Sequence, residues 1–133
     1  MNVARDRRPR VVLADDHPSV LAAFARMLQS SCDVVASACN GFAAVEATSR
    51  LRPDVLVVDL IMPDLDGLEV CRRVKRTAPE IDVIIVTAFD DALVENVALR
   101  DGAAAFVPKH NVTKVLMATI QRILADRQPG ARE

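Results

Sequence analysis

The sequence predicts a doubly wound parallel α/β domain in which five strands alternate with five helices. Short apolar runs, most of them rich in β-branched residues, recur along the whole chain, and each is followed by a stretch with apolar residues at helical spacing. The links between these segments are short, the pattern of a parallel sheet covered on both faces by its crossover helices. The right-handedness of such crossovers leaves few arrangements. At 133 residues the chain fits one domain, and no internal repeat, linker or low-complexity segment divides it.

Residues 11–14 (VVLA) form the first strand, which ends at Asp15 and Asp16. Pro18 suits the first turn of the next helix, where its missing N–H does no harm, and Leu21, Phe24, Ala25 and Leu28 recur at helical spacing. Residues 33–38 make a weaker second strand. Gly41 precedes an alanine-rich helix to about residue 50, and Pro53 closes the connection. Residues 55–58 (VLVV) are unbroken and apolar, as in a strand covered on both faces, and Asp59 follows. A third helix spans 67–77 with Leu68, Cys71 and Val74 on one face. Pro79 separates it from a fourth strand at 83–86, which ends at Thr87. Asp90 and Asp91 open a fourth helix, since acids suit a helix amino terminus, and Gly102 stops it as a C-cap. The fifth strand is 104–107, with Lys109 just beyond. The last helix, 112–127, carries the stripe Val115, Leu116, Thr119, Ile120 and Ile123. The domain is therefore expected to span residues 10–127, with flexible tails at 1–9 and 128–133.

Composition excludes several function classes. The net charge of −1 gives no global electrostatic case for a nucleic-acid or membrane partner. The basic cluster Arg5, Arg7, Arg8 and Arg10 reads as a solvated amino-terminal segment. With four Phe and neither Trp nor Tyr, the core must be built from Val, Leu, Ile and Ala. Cys32, Cys39 and Cys71 lack a CxxC spacing and read as reduced residues of a cytoplasmic protein. No signal-peptide run or membrane span stands out. Met27, Met62 and Met117 are scattered and read as packing.

Sites in an open α/β sheet form beyond the carboxyl ends of the strands. Four strand ends here deliver Asp15, Asp16, Asp59, Thr87 and Lys109 to one edge. Carboxylates crowded together repel, and a divalent cation removes that penalty. Mg²⁺ is the fitting ion: it is hard, takes oxygen ligands, and is held by one or two carboxylates with waters and phosphate. An aspartate beside such an ion with a lysine opposite suits nucleophilic attack on phosphorus, and Thr87 could donate a hydrogen bond to the transferred group. No GxGxxG or GxxxxGK[ST] pattern offers a nucleotide site, no Cys/His cluster offers zinc, and no Ser–His–Asp set presents itself. His17 and His110 read as surface or capping residues, and Asp64 and Asp66 as solvated loop acids. Each strand-end residue also has a plainer reading: Asp15 and Asp16 as helix caps, Asp59 as a turn residue, Thr87 as a strand former, Lys109 as a surface lysine.

The segments VVLADDHP, DVLVVDLIMPDLDG, VIIVTA and GAAAFVPK, in that order, resemble the receiver domain of bacterial two-component response regulators over about residues 10–127. The ADDHP opening resembles in particular regulators whose receiver precedes a LuxR-type DNA-binding domain. The resemblance implies a flavodoxin-like strand order of 2-1-3-4-5. It implies that Asp59 is the phosphoacceptor and that Asp16 binds Mg²⁺ directly, with Asp15 acting mostly through water. Asp59 and the Ile61 backbone carbonyl would complete the ion's protein ligands. Lys109 would bind phosphate, Thr87 and Phe106 would form the switch pair, and Pro63 and Gly67 would shape the loop beside the acceptor. Two positions depart from the family pattern: His110 rather than proline follows Lys109, so no cis bond is expected there, and Phe106 replaces a frequent tyrosine. Neither change removes a catalytic group.

The resulting expectation is a Mg²⁺-dependent domain that takes a phosphoryl group from a histidine kinase or phosphotransfer protein onto Asp59. It would lose the group slowly to water and switch partner or homodimer contacts, without turnover in the usual enzymatic sense. A phosphorylation-independent binding module of the same fold is the alternative. A phosphatase with an aspartate nucleophile is disfavoured, because Ile61 stands where such enzymes carry a second aspartate. DNA binding is not assigned to this segment, though a full-length parent could regulate transcription.

Overall fold

A computed structural model describes residues 8–89 and 91–127. Its elements run β1 (Arg10–Ala14), α1 (Pro18–Leu28), β2 (Asp33–Ala38), α2 (Gly41–Leu51), β3 (Val55–Asp59) and α3 (Gly67–Thr77). They continue with β4 (Asp82–Thr87), α4 (Ala92–Arg100), β5 (Ala105–Pro108), a 3₁₀ turn (Lys109–Asn111) and α5 (Val112–Arg127). All neighbouring strands pair in parallel, in the order β2-β1-β3-β4-β5. The expected doubly wound sheet is the observed one, with strand ends displaced by a residue. The 3₁₀ turn was not foreseen, because three residues of KHN carry no periodicity to read.

Alternate residues along each strand enter different cores, as the two-residue pleat requires. Val11, Leu13, Val55, Val57, Ile84 and Val86 pack with α1 and α5 through Leu21, Phe24, Leu28, Leu116, Ile120 and Ile123. Val12, Leu56, Val58, Val83 and Ile85 face the other way, onto α2, α3 and α4. Helix α3 buries Val70, Cys71 and Val74, while Leu68 is only half-buried. Helix α4 is different: among its residues only Ala98 is buried, and Leu93 is 76% exposed. The three cysteines are unpaired, Cys32 and Cys71 within the cores, and burial pushes the Cys71 thiol up to about 11. No helix among the described residues is long and apolar enough to cross a membrane.

The edge of the sheet where strands begin is closed by charge. Arg127, at the end of α5, places Nε 2.9 Å from Asp82 Oδ2 and Nη1 3.6 Å from Asp54 Oδ1, and also donates to the Glu80 carbonyl. Asp54 in turn accepts the Arg10 backbone N–H at 2.8 Å. Arg8, which the sequence places in a flexible tail, is held against β2 and α1: its guanidinium donates to the carbonyls of Gln29 and Cys32 and lies 3.5 Å from Asp33. Arg5, Arg7, Asp90 and the 128–133 tail lie outside the described residues.

Two glycines are required by geometry. Gly102 has φ +107°, so it ends the α4 segment where a side chain would be strained. A Cβ on Gly67 would stand 2.5 Å from the Asp59 carbonyl oxygen and 2.9 Å from Leu60 Cα, both backbone atoms that cannot step aside. Gly67→Ala is therefore expected to destabilise the domain by about 2 kcal/mol or more, read from the urea midpoint at unchanged slope. A midpoint equal to that of the parent chain would contradict this close approach.

Candidate functional site

The strand register brings the site together. Ala14 lies level with Val58, Asp59 with Val86, and Thr87 with Pro108. The residues that follow or end these strands therefore emerge side by side at the carboxyl edge. Asp15 is 1% exposed and Asp59 6%, whereas the side chain of Asp16 is about one-third exposed. Lys109, first residue of the 3₁₀ turn, reaches across them, its Nζ 2.9 Å from Asp15 Oδ2 and 3.3 Å from Asp59 Oδ1. Every peptide bond of the described residues is trans, including the one after Lys109.

The electrostatics follow from that crowding. Burial, then the negative charge of Asp15, push the Asp59 carboxyl above its ordinary value; Lys109 opposes them and Asp16 adds to them. Burial alone would lower Lys109, but its hydrogen bond to Asp15 and the charge of Asp59 prevail and raise it. Lys109 is thus a fixed cation between two acids, and the Asp59 carboxyl is biased toward its protonated form.

Thr87 is fully buried, and its Oγ1 accepts the Phe89 N–H at 2.9 Å. Phe106, on β5, is half-buried and packs on the core beneath α2, α3 and α4. The Ile61 side chain is 54% exposed just beyond β3. Asp15, Asp16, Asp59, Thr87 and Lys109 therefore share the edge that the sequence assigned them.

Three residues are exposed as their sequence reading has them but make contacts it did not foresee. His17 occupies the N-cap position of α1 but makes no side-chain cap. Its Nδ1 lies 3.0 Å from Asp15 Oδ1 and 3.0 Å from Asp16 Oδ1. Asp66 is the N-cap of α3, accepting the Glu69 N–H at 2.9 Å. Asp64 caps a helix other than its own: its carboxylate accepts the N–H groups of Gly41 and Phe42 at 2.8 and 3.4 Å, at the start of α2. Slight desolvation would raise Asp64, but the backbone donors of Gly41 and Phe42 hold it below its ordinary value. The spacing D-L-D-G does announce the Asp66 cap. Nothing local announces the cap made by Asp64, which joins segments more than twenty residues apart.

The donor set suits a hard divalent cation. Carboxylate oxygens predominate, and Asp16 Oδ1 is cut off from solvent with the His17 Nδ1 3.0 Å away. Among the described residues, Asp15, Asp16 and His17 form a group whose ligand atoms all lie within 4.8 Å of one another.

The sequence profile described as "Response regulator receiver domain" matches residues 11–121. "Response regulator MprA" of Mycobacterium leprae (strain TN) is 35% identical over 120 residues, covering 90% of this chain and 53% of the relative. The chain thus spans about half the length of the curated relatives it matches. A LuxR-family two-component response regulator from Aurantimonas sp. SI85-9A1 superposes with a TM-score of 0.86 at 28% identity, covering 90% of this chain and 87% of that one. The response regulator domain of Thermotoga maritima CheB gives 0.81 at 29% identity, covering 87% and 96%. These relatives belong to different regulators, so the ADDHP resemblance to LuxR-type proteins widens to the receiver family as a whole.

The raised position of Asp59 sets a sign for stability against pH. Between the ordinary carboxylate range and its raised value, the folded chain keeps a proton that the unfolded chain has lost, so stability falls as pH rises through that window. Asp59→Asn removes the charge while Lys109 keeps Asp15. Without divalent cations, the variant is expected to gain stability over the parent as pH rises from about 4 through the raised Asp59 range. Urea unfolding across pH 4–8 measures it; an advantage that shrinks with rising pH would contradict the assignment.

Proposed function

The chain belongs to the response regulator receiver domain family, and from that membership and the charges at its strand ends we propose that it is a phosphoryl-accepting signalling domain. A histidine kinase or phosphotransfer protein is the donor, and Asp59 the acceptor. The observation that carries the reading is the Lys109 ammonium 2.9 Å from Asp15 and 3.3 Å from Asp59, beside a third acid, at the carboxyl edge of a parallel sheet. Further support comes from a similar domain: the isolated REC domain of RcsB from Salmonella enterica serovar Typhimurium, 25% identical, has been determined with the phosphomimetic BeF₃⁻.

In this reading Asp15, Asp16, Asp59 and the Ile61 carbonyl hold Mg²⁺. The ion, when bound, neutralises charge on the acids and on the phosphoryl oxygens. An Asp59 carboxylate oxygen attacks phosphorus in line, and the bond from phosphorus to the donor imidazole nitrogen breaks. The bonding pair leaves with the imidazole. Lys109 offsets charge on the transferred group. Water later attacks the acyl phosphate, releasing inorganic phosphate and restoring the carboxylate.

Thr87 and Phe106 relay the change. The Thr87 oxygen accepts the Phe89 N–H, which leaves its own O–H free to donate toward a phosphoryl oxygen. The half-buried Phe106 ring moves inward as Thr87 turns, biasing a two-state equilibrium. The readout surface is β4, α4 and β5, where Phe89, Leu93 and Leu99 are exposed and available to a partner or a second copy. In a longer parent the domain controls an attached output, DNA binding of the LuxR type being the one that the ADDHP opening suggests.

Incubation with acetyl phosphate and Mg²⁺ is expected to add one phosphoryl group, seen by intact-mass spectrometry. The adduct should disappear in Asp59→Ala and after chelation of the metal. Lys109→Ala should slow its accumulation on the order of a hundredfold. No adduct, or an adduct indifferent to Asp59, would overturn the proposal.

A further inference from the structure

The loop between β3 and α3 is tied to a helix remote from it in sequence. Main-chain hydrogen bonds hold its two ends: Leu60 N–H donates to the Val86 carbonyl at 2.9 Å, and Gly67 N–H to the Leu60 carbonyl at 2.8 Å. Two side chains hold its middle. Met62 is buried in the core that Ala44, Ala47 and Val70 also enter. Asp64 is exposed, yet its carboxylate accepts the first two N–H groups of α2, those of Gly41 and Phe42.

Helix α2 already has a cap of its own. Asn40 is its N-cap, and the Asn40 side chain accepts the Ala43 N–H at 2.8 Å. Asp64 is thus a second acceptor, brought from another element. The two segments also touch directly. A Cβ on Gly41 would stand 2.2 Å from the Leu65 carbonyl oxygen and 2.5 Å from Leu65 Cβ. The helix is a firm support, since Ala44 and Ala47 are buried. Pro63 stiffens the path from Asp64 back to Ile61, because its ring fixes its own φ and restricts Met62 before it. The Ile61 side chain, 54% exposed, supplies no anchor of its own.

We infer that Asp64 is a positioning residue: through Gly41 and Phe42 it latches this loop to α2, and thereby sets the Ile61 carbonyl where the divalent cation is held. The inference deepens the metal-assisted reading of this edge and rests on it. Groups that orient a metal ligand from behind are worth about tenfold or more in affinity. Linkage makes the coupling reciprocal: a latch that tightens the ion is itself tightened by the ion.

The experiment uses the whole chain with Mg²⁺ and no phosphodonor. Asp64→Ala should weaken Mg²⁺ binding, measured by calorimetry, about tenfold. Asp64→Asn loses the same charge but keeps an acceptor for the Gly41 N–H, so most of the affinity should return. Gly41→Ala leaves every charge in place, pushes the Leu65 backbone away, and should weaken binding as well. In the parent chain, Mg²⁺ should slow hydrogen exchange at the Gly41 and Phe42 amides, read by NMR, with the Asn40-capped Ala43 amide as internal reference. That slowing should vanish in Asp64→Ala. Circular dichroism confirms that the variants fold. Equal losses in Asp64→Ala and Asp64→Asn would reduce the effect to charge and overturn the inference. Gly41 and Phe42 amides indifferent to Mg²⁺ would overturn it too. Phosphorylation of the parent chain at Asp59 is read separately by mass, so failure of the phosphoacceptor reading and failure of the latch are distinguishable.

Discussion

The ammonium of Lys109 is the contact on which this molecule is organised. Two nearly buried carboxylates, Asp15 and Asp59, end adjacent strands, and Asp16 follows immediately. Buried like charges at that distance would each retain a proton or unfold the edge. A lysine held by the 3₁₀ turn after β5 divides its charge between two of them. The arrangement lowers the cost of assembly without cancelling it: one cation faces three acids. A site left short of positive charge in this way is prepared to take up more of it, which is the common requirement of metal binding and of phosphoryl transfer.

How the rest of the sheet serves that edge is a matter of register. A slip of one residue in β3 that drew Asp59 back into the strand would turn it toward a core and carry Leu60 to the exit. Two-sided burial prevents it, because Val55 and Val57 belong to one core and Leu56 and Val58 to the other. Gly67 has a related duty. By lacking a side chain, it lets the start of α3 lie against the Asp59 carbonyl and the Leu60 backbone.

Most of this was legible in the sequence, for identifiable reasons. Asp15, Asp16, Asp59, Thr87 and Lys109 each follow an apolar run, and a parallel sheet sends all such residues to one edge. The strand and helix positions came from periodicity and from Pro18, Pro53, Pro79 and Gly102, and the strand order from the resemblance to receiver domains. The features that escaped depend on side-chain direction or on distant partners. His17 read as a surface or capping residue; its ring is exposed, but it turns back toward the acids instead of capping the helix. Asp64 looked solvated, and it is exposed, yet it ties the loop after β3 to the first turn of α2. Arg8 looked like part of a free tail, though backbone carbonyls of Gln29 and Cys32 hold it. No linear pattern encodes a partner chosen by tertiary proximity.

Helix α4 gives the fold its unevenness. It buries only Ala98 fully and packs Val94 against the same core at partial burial, while α5 buries Val112, Leu116, Ile120 and Ile123. A small side chain contributes little free energy on burial, so α4 can open or slide while both cores stay closed. Its amides are therefore expected to exchange with solvent through a local excursion, while those of the central strands wait for global unfolding. The domain behaves mechanically as a rigid block with one loosely hinged panel, and that panel begins a few residues beyond Thr87.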